Sequence, residues 1–164
     1  MPAETLIDRS CELLRIDLKP EHAQPSALRV LLASAVALAG SLAADAILVA
    51  LAKAVFPSTK DYPHFVFSDY GKLTVIGVVV ACIGWPIVTR ISSSPRWLFF
   101  RLAIVVTLVL FLPDLYILKQ GQPAKAVAVL MCMHVAIALV TYNALVHLAP
   151  IGPKRERSTP PSVP

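Results

Sequence analysis

Four long apolar stretches limit what this chain of 164 residues can fold into. They cover about residues 30–52, 73–89, 98–118 and 126–149, and charged residues are rare within them. A helix rises about 1.5 Å per residue, so stretches of this length suit a hydrocarbon core about 30 Å thick. Only 15% of the residues are charged, against about 25% in soluble domains, which argues against a soluble fold. The sequence predicts an all-α, polytopic membrane protein with a bundle of four transmembrane helices.

The two ends of the chain differ from this membrane domain, which we place at residues 25–150. Residues 1–24 predict a cytoplasmic amphipathic helix followed by a break at Pro20. Its apolar face carries Leu6, Ile7, Cys11, Leu14 and Leu18. This helix either docks onto a partner or packs at the membrane surface under its own bundle. Residues 151–164 are basic and rich in proline, which predicts a disordered cytoplasmic tail.

The basic residues predict the orientation of the bundle. Ten of the fifteen lysines and arginines fall in the first 29 residues, around the turn near residue 93, or in the C-terminal tail. All eight arginines are among these ten, so the positive-inside rule places both termini in the cytoplasm, with the chain in the inner (plasma) membrane. The net charge is +5, and the basic residues that produce it flank the apolar spans. This placement favours membrane lipids as partners and argues against nucleic acid.

Three ionisable residues lie inside the predicted spans: Asp45, Asp114 and His134. Counting helix rise from the nearest lysines at the outer edge places them roughly 7 to 14 Å below it. Such residues are costly in a membrane and often functional, so we consider a cluster that binds a proton, a cation or a polar headgroup. The alternative is a satisfied structural network in which a carboxylate pairs with His134.

Small residues on two spans predict close helix packing. On the first span they recur about every four residues, and on the second they form a shorter strip. The set comprises Ala33, Ala37, Gly40, Ser41, Ala44, Gly77, Ala81 and Gly84.

No catalytic residue, metal site or cofactor is predicted. The sequence contains none of the common hydrolase, metalloprotease or phosphate-binding motifs. His64 lies in an outer connection with Tyr62 and Phe65, where the aromatic residues suggest contact with the membrane surface or a neighbour. A single loop histidine is more often solvated than a metal ligand. His134 and His147 lie about 140° apart around one helix, which argues against haem.

The third and fourth spans resemble a known family. The segment from Ser94 to Pro113 leads into Leu-Pro-Asp, and Ala128 to Leu148 carries Met-Cys-Met-His near its middle. The region from Leu28 to Pro150 resembles an uncharacterised family of small four-helix transmembrane proteins of actinobacteria, a domain of unknown function. The resemblance implies a four-helix membrane fold and brings no activity with it.

Two functional hypotheses follow. The first is a non-enzymatic accessory subunit of a larger inner-membrane complex, in envelope biogenesis, transport or respiration. It would bind partners through its helix faces and N-terminal helix. The alternative is a small oligomeric transporter, or a proton- or ion-conducting protein, that uses Asp45, Asp114 and His134. A membrane enzyme acting on lipid or quinone is a weaker third possibility.

Overall fold

The computed structural model of the chain describes residues 22–153. Their four α-helices are α1 (Ala27–Val55), α2 (Phe67–Ile91), α3 (Pro95–Lys119) and α4 (Ala124–Leu148). All four are long and apolar enough to span a membrane, and residues 22–153 contain no β-strand. The predicted all-α, four-helix fold is confirmed. The predicted N-terminal helix, and the predicted C-terminal tail after residue 153, lie outside the described residues.

The helices are longer than the apolar stretches, because their ends also include polar residues. α1 is capped by Ser26, whose hydroxyl accepts a hydrogen bond from the amide of Arg29 at 3.4 Å. α2 begins at Phe67, several residues before its apolar stretch, with Asp69 in the first turn, where a carboxylate suits the helix dipole. The outer connection therefore shortens to residues 56–66. A tight turn precedes α4, and Gly121 takes a φ of +88° there.

The order of the helices creates two distinct ends of the bundle. α1 packs most extensively against α4, while α3 also packs on α4 and α2 on α1. The amide of Gly152 donates to the carbonyl of Ala23 at 2.9 Å, which joins both ends of the described chain. We call this end, with residues 22–26, 92–94 and 149–153, the termini end. The opposite end, with residues 56–66 and 120–123, is the loop end.

Separate apolar clusters fill the two ends. At the termini end, Trp85 contacts Phe99 edge-on, with ring centroids 5.2 Å apart, and packs with the fully buried Leu145. The indole N–H of Trp85 donates to the carbonyl of Ala149 at 3.0 Å. At the loop end, Tyr62 from the connection packs into the bundle with other buried apolar residues. Its ring therefore contacts its own helices, rather than the membrane surface or a neighbour as the sequence suggested.

Candidate functional site

A buried carboxylate links the first two helices. Asp45 of α1 is completely buried, and its Oδ2 lies 2.6 Å from the hydroxyl of Thr74 on α2. The same hydroxyl lies 2.9 Å from the carbonyl oxygen of Tyr70. One hydroxyl hydrogen cannot serve both acceptors at full strength. The Thr74 hydroxyl therefore shares its hydrogen between the Asp45 carboxyl group of α1 and the Tyr70 carbonyl of its own helix.

A second acid–base pair links α3 and α4. Oδ2 of Asp114 lies 3.2 Å from Nδ1 of His134, and the Asp114 side chain is 8% exposed. Nδ1 also lies 2.9 Å from the carbonyl oxygen of Leu130, which can only accept a hydrogen bond. Nδ1 must therefore carry a hydrogen, and a further proton can join the ring only at Nε2. The rings of His134 and Phe111 lie nearly perpendicular to each other, with centroids 6.3 Å apart.

The outer connection adds a phenol to the same region. Tyr62 is 6% exposed, and its hydroxyl lies within electrostatic range of Asp114. Burial, and then the negative charge of Asp114, raise the pKa of the Tyr62 phenol above its ordinary value. The phenol therefore stays neutral at physiological pH and keeps a hydrogen that it can donate.

These groups form two polar contacts near the loop end. His134 contacts Asp114, whereas Asp45 contacts Thr74 and interacts with His134 only electrostatically. Thr74 and Tyr62 complete the site and were missed as members of it. We use the name polar site for these five residues. All four helices and the connection contribute to it.

The polar site contains buried hydrogen-bonding atoms without a partner. Within residues 22–153, these atoms are Asp45 Oδ1, Tyr62 Oη and Asp114 Oδ2. Buried polar groups are usually satisfied, because leaving one unpaired costs about 1–3 kcal/mol. The unmet hydrogen bonds are what a bound proton, a water molecule or a small polar ligand would satisfy.

Polar contacts extend from the site toward the middle of the bundle and then stop. Ser41 lies one turn before Asp45 on α1, and its hydroxyl oxygen is 3.3 Å from that of Thr141 on α4. Beyond this pair the core becomes apolar, first at Val78 and then at the Trp85 cluster. Within residues 22–153, the next buried polar side chains toward the termini end are Thr89 and Ser92, beyond these apolar clusters.

The predicted packing residues divide between the interior and the surface. Ala33, Ala37 and Ser41 are buried within the bundle. A Cβ added at Gly40 would lie 2.9 Å from Cγ1 of Val140, so this glycine allows α1 to approach α4. Ala44, Ala81 and Gly84 are half-buried.

Gly77 is different, because it is exposed and has no neighbouring atom within 4 Å of an added Cβ. The other small residues of the set are buried or half-buried in the bundle. Gly77 alone among the predicted packing residues leaves a notch on the outer surface of α2.

The remaining candidates lie elsewhere. His64 is about half exposed, and its Nδ1 lies 3.4 Å from Oδ2 of Asp69, so this histidine has a carboxylate neighbour that spacing did not reveal. In the described part of the chain, no three His, Cys, Asp or Glu side chains are arranged to hold a metal ion. The predicted docking residues Leu6 to Leu18 lie outside the described residues.

Membrane-length helices around a buried polar site define a multi-pass, four-helix membrane protein. The chain belongs to a family of unknown function (DUF6069), whose family model matches residues 19–149. This match confirms the resemblance to an uncharacterised family, while the actinobacterial source stays a prediction. No curated protein and no solved structure matches the chain.

Proposed function

We propose that this protein is a small, non-enzymatic, proton-coupled membrane transporter, and that Asp114 and His134 are its proton-binding pair. One observation carries the proposal: the 3.2 Å contact between these side chains at membrane depth, beside buried polar atoms with unmet hydrogen bonds. Ionisable residues inside a membrane characteristically mark proton relays and transport pathways.

The groups of the polar site suit proton binding better than metal binding. Within residues 22–153, no three His, Cys, Asp or Glu side chains are placed to hold a metal ion, whereas Asp114 and His134 are an acid and a base in contact at 3.2 Å. A proton arriving from the loop end passes the neutral phenol of Tyr62 and joins Asp114 or Nε2 of His134. Asp45 offers a second carboxyl group, which accepts a hydrogen bond from the Thr74 hydroxyl.

Apolar packing between the polar site and the termini end favours a carrier over an open channel. The apolar clusters around Val78 and Trp85 separate the polar site from the termini end. Release toward that end therefore requires the helices to move. Pro113 directly precedes Asp114 inside α3 and cannot donate the helical hydrogen bond to Val109, which weakens the helix beside the proton site.

Proton flux into vesicles tests this proposal. The purified protein is reconstituted into vesicles containing a pH-sensitive dye, and a potassium diffusion potential drives protons inward. We expect protein-dependent acidification that is lost in Asp114→Asn, because an amide cannot bind the proton. Thr107→Val is the matched control, since Thr107 lies on the same helix and bonds only to its own backbone at Ala103. Equal rates with protein, with the Asn variant and with empty vesicles would contradict the proposal.

A second candidate is the accessory subunit of a larger membrane complex, and the exposed notch at Gly77 favours it. Small residues on exposed helix faces let a second helix approach closely. Tagged protein solubilised in mild detergent should then retain a stoichiometric partner, and Gly77→Leu should release it. If wild-type protein and Gly77→Leu purify alike as a single species, this second candidate is wrong.

We also propose an inner-membrane location with both termini in the cytoplasm. The charge distribution supports this orientation, because the described arginines lie toward the termini end, whereas the lysines of residues 22–153 lie toward the loop end. Labelling of single cysteines placed in residues 56–66 from outside intact cells would test it.

A further inference from the structure

A groove separate from the polar site runs along the outside of the bundle between α1 and α2. Its volume is about 610 Å³, which falls in the range of small-molecule binding sites, about 300–1,000 Å³. Val30, Ser34 and Leu38 form one wall, and Val78 and Cys82 lie on the other. Arg90 stands at the termini end and is the only charged residue of the lining.

The length of the groove matches one leaflet of a bilayer. From Val78 to Arg90 there are twelve residues, which at 1.5 Å each is about 18 Å. Half of a hydrocarbon core about 30 Å thick is about 15 Å. The groove therefore begins where a lipid headgroup lies and ends near the bilayer midplane.

The charge at its mouth selects the headgroup. Arg90 is exposed, and one of its N–H groups donates to the carbonyl of Pro86 at 2.8 Å. A guanidinium has five N–H donors in a planar fork that matches phosphate oxygens, so further donors are available to a ligand. No acidic side chain lines the groove to compete for that contact.

We propose that this groove binds one anionic phospholipid, with an acyl chain between α1 and α2 and its phosphate at Arg90. The proposal is independent of the proton chemistry, which lies at the other end of the bundle. Anionic lipids are concentrated in the cytoplasmic leaflet, so the site agrees with the proposed orientation.

Native mass spectrometry of the full chain in mild detergent tests this site. Phosphatidylglycerol and phosphatidylcholine with identical acyl chains are added in parallel. We expect preferential retention of phosphatidylglycerol, weakened about ten-fold in Arg90→Gln, because hydrogen bonds to charged groups contribute on that scale. Arg101→Gln is the charge control, since Arg101 lies over the Trp97 ring, 4.0 Å from its centroid, and is not part of the groove.

A second variant tests the acyl-chain part of the groove. Ala35 lines it, and Ala50 is an exposed alanine of the same helix outside it. Ala35→Trp should reduce retention of both lipids, whereas Ala50→Trp should leave it unchanged. A diazirine placed in the acyl chain of phosphatidylglycerol should label peptides of α1 and α2. Equal retention of the two lipids, or labelling spread evenly over all four helices, would overturn the proposal.

Discussion

Oδ2 of Asp114 lies 3.2 Å from Nδ1 of His134, and the same nitrogen lies closer, at 2.9 Å, to a second acceptor, the carbonyl oxygen of Leu130. The ring is thereby fixed in one tautomer with its Nδ1 occupied. The contact between the two side chains is electrostatic more than a well-aligned hydrogen bond, because Oδ2 keeps no hydrogen-bond partner. Such a pair changes its charge when Nε2 or the carboxyl group takes up a proton.

Replacing His134 by Asn should separate folding from function. The Asn amide can still donate to the Leu130 carbonyl, whereas it cannot accept a proton. We expect His134→Asn to keep the wild-type free energy of unfolding within about 0.5 kcal/mol and to lose proton flux. Unfolding in mixed micelles and flux into vesicles are the two measurements.

His134→Ala is the comparison, because it removes the donor as well and should destabilise the bundle. If His134→Asn transported protons at the wild-type rate, the histidine would have only a structural role.

Some features of the fold and of the polar site follow from the lengths and spacing of segments in the sequence, and others depend on how the helices pack. The number of helices follows from four apolar stretches, since each must satisfy its backbone within the membrane. The shared depth of Asp45, Asp114 and His134 follows from counting residues to the nearest lysines. Both features depend only on the positions of residues along the chain, so they can be predicted from the sequence.

Partners across helices are a different matter. Thr74 lies on the buried face of α2, four residues after Tyr70, but no pattern shows that this face meets Asp45. Tyr62 is near a membrane boundary in sequence, where aromatic residues commonly face lipid. Only the fold of residues 56–66 turns its ring into the bundle, and that depends on contacts distant in sequence.

The hydrogen bond between Thr74 and Asp45 should make a measurable contribution to stability. Hydrogen bonds between transmembrane helices contribute about 0.6 kcal/mol on average and at most about 1.7. Thr74→Val keeps the shape and removes the hydroxyl, so we expect the free energy of unfolding to fall within that range. Thr74→Ser retains the hydroxyl and should fall less. Equal losses in the two variants would show that packing, and not the hydrogen bond, stabilises this contact.

Tyr62→Phe should stabilise the protein while slowing proton exchange. The buried phenol oxygen has no partner, so removing it relieves a cost of up to about 1–3 kcal/mol. The same substitution removes the hydroxyl between the loop end and Asp114. We therefore expect a higher unfolding midpoint together with slower acidification of the vesicles. Faster or unchanged flux would exclude Tyr62 from the proton route.

The pH dependence of this variant has a definite sign. Because folding raises the pKa of Tyr62, the unfolded chain releases the phenol proton first as the pH rises above about 10. The part of the stability that depends on the Tyr62 phenol is complete below that pH and declines above it, and Tyr62→Phe lacks this part of the decline. The stability advantage of the Phe variant should therefore grow between pH 9 and pH 11, measured as unfolding midpoints in the same detergent.

Two glycines provide a matched test of helix packing. A Cβ at Gly40 would meet Cγ1 of Val140 at 2.9 Å, and valine is stiff about its χ1 angle, so the α1–α4 contact must shift. We expect Gly40→Ala to reduce the free energy of unfolding by about 1–3 kcal/mol, the usual effect of overpacking. Gly77→Ala meets open space and should be neutral or stabilising by up to about 1 kcal/mol, because alanine is the better helix former.

The double variant Gly40→Ala with Val140→Ala identifies the cause. Removing Cγ1 of Val140 creates the space that the new methyl group needs, so the double variant should be more stable than the sum of the two single changes predicts. A simple sum would mean that α1 and α4 do not meet at this pair. A positive coupling would establish the close contact that holds Asp45 on α1 and His134 on α4 at their present separation.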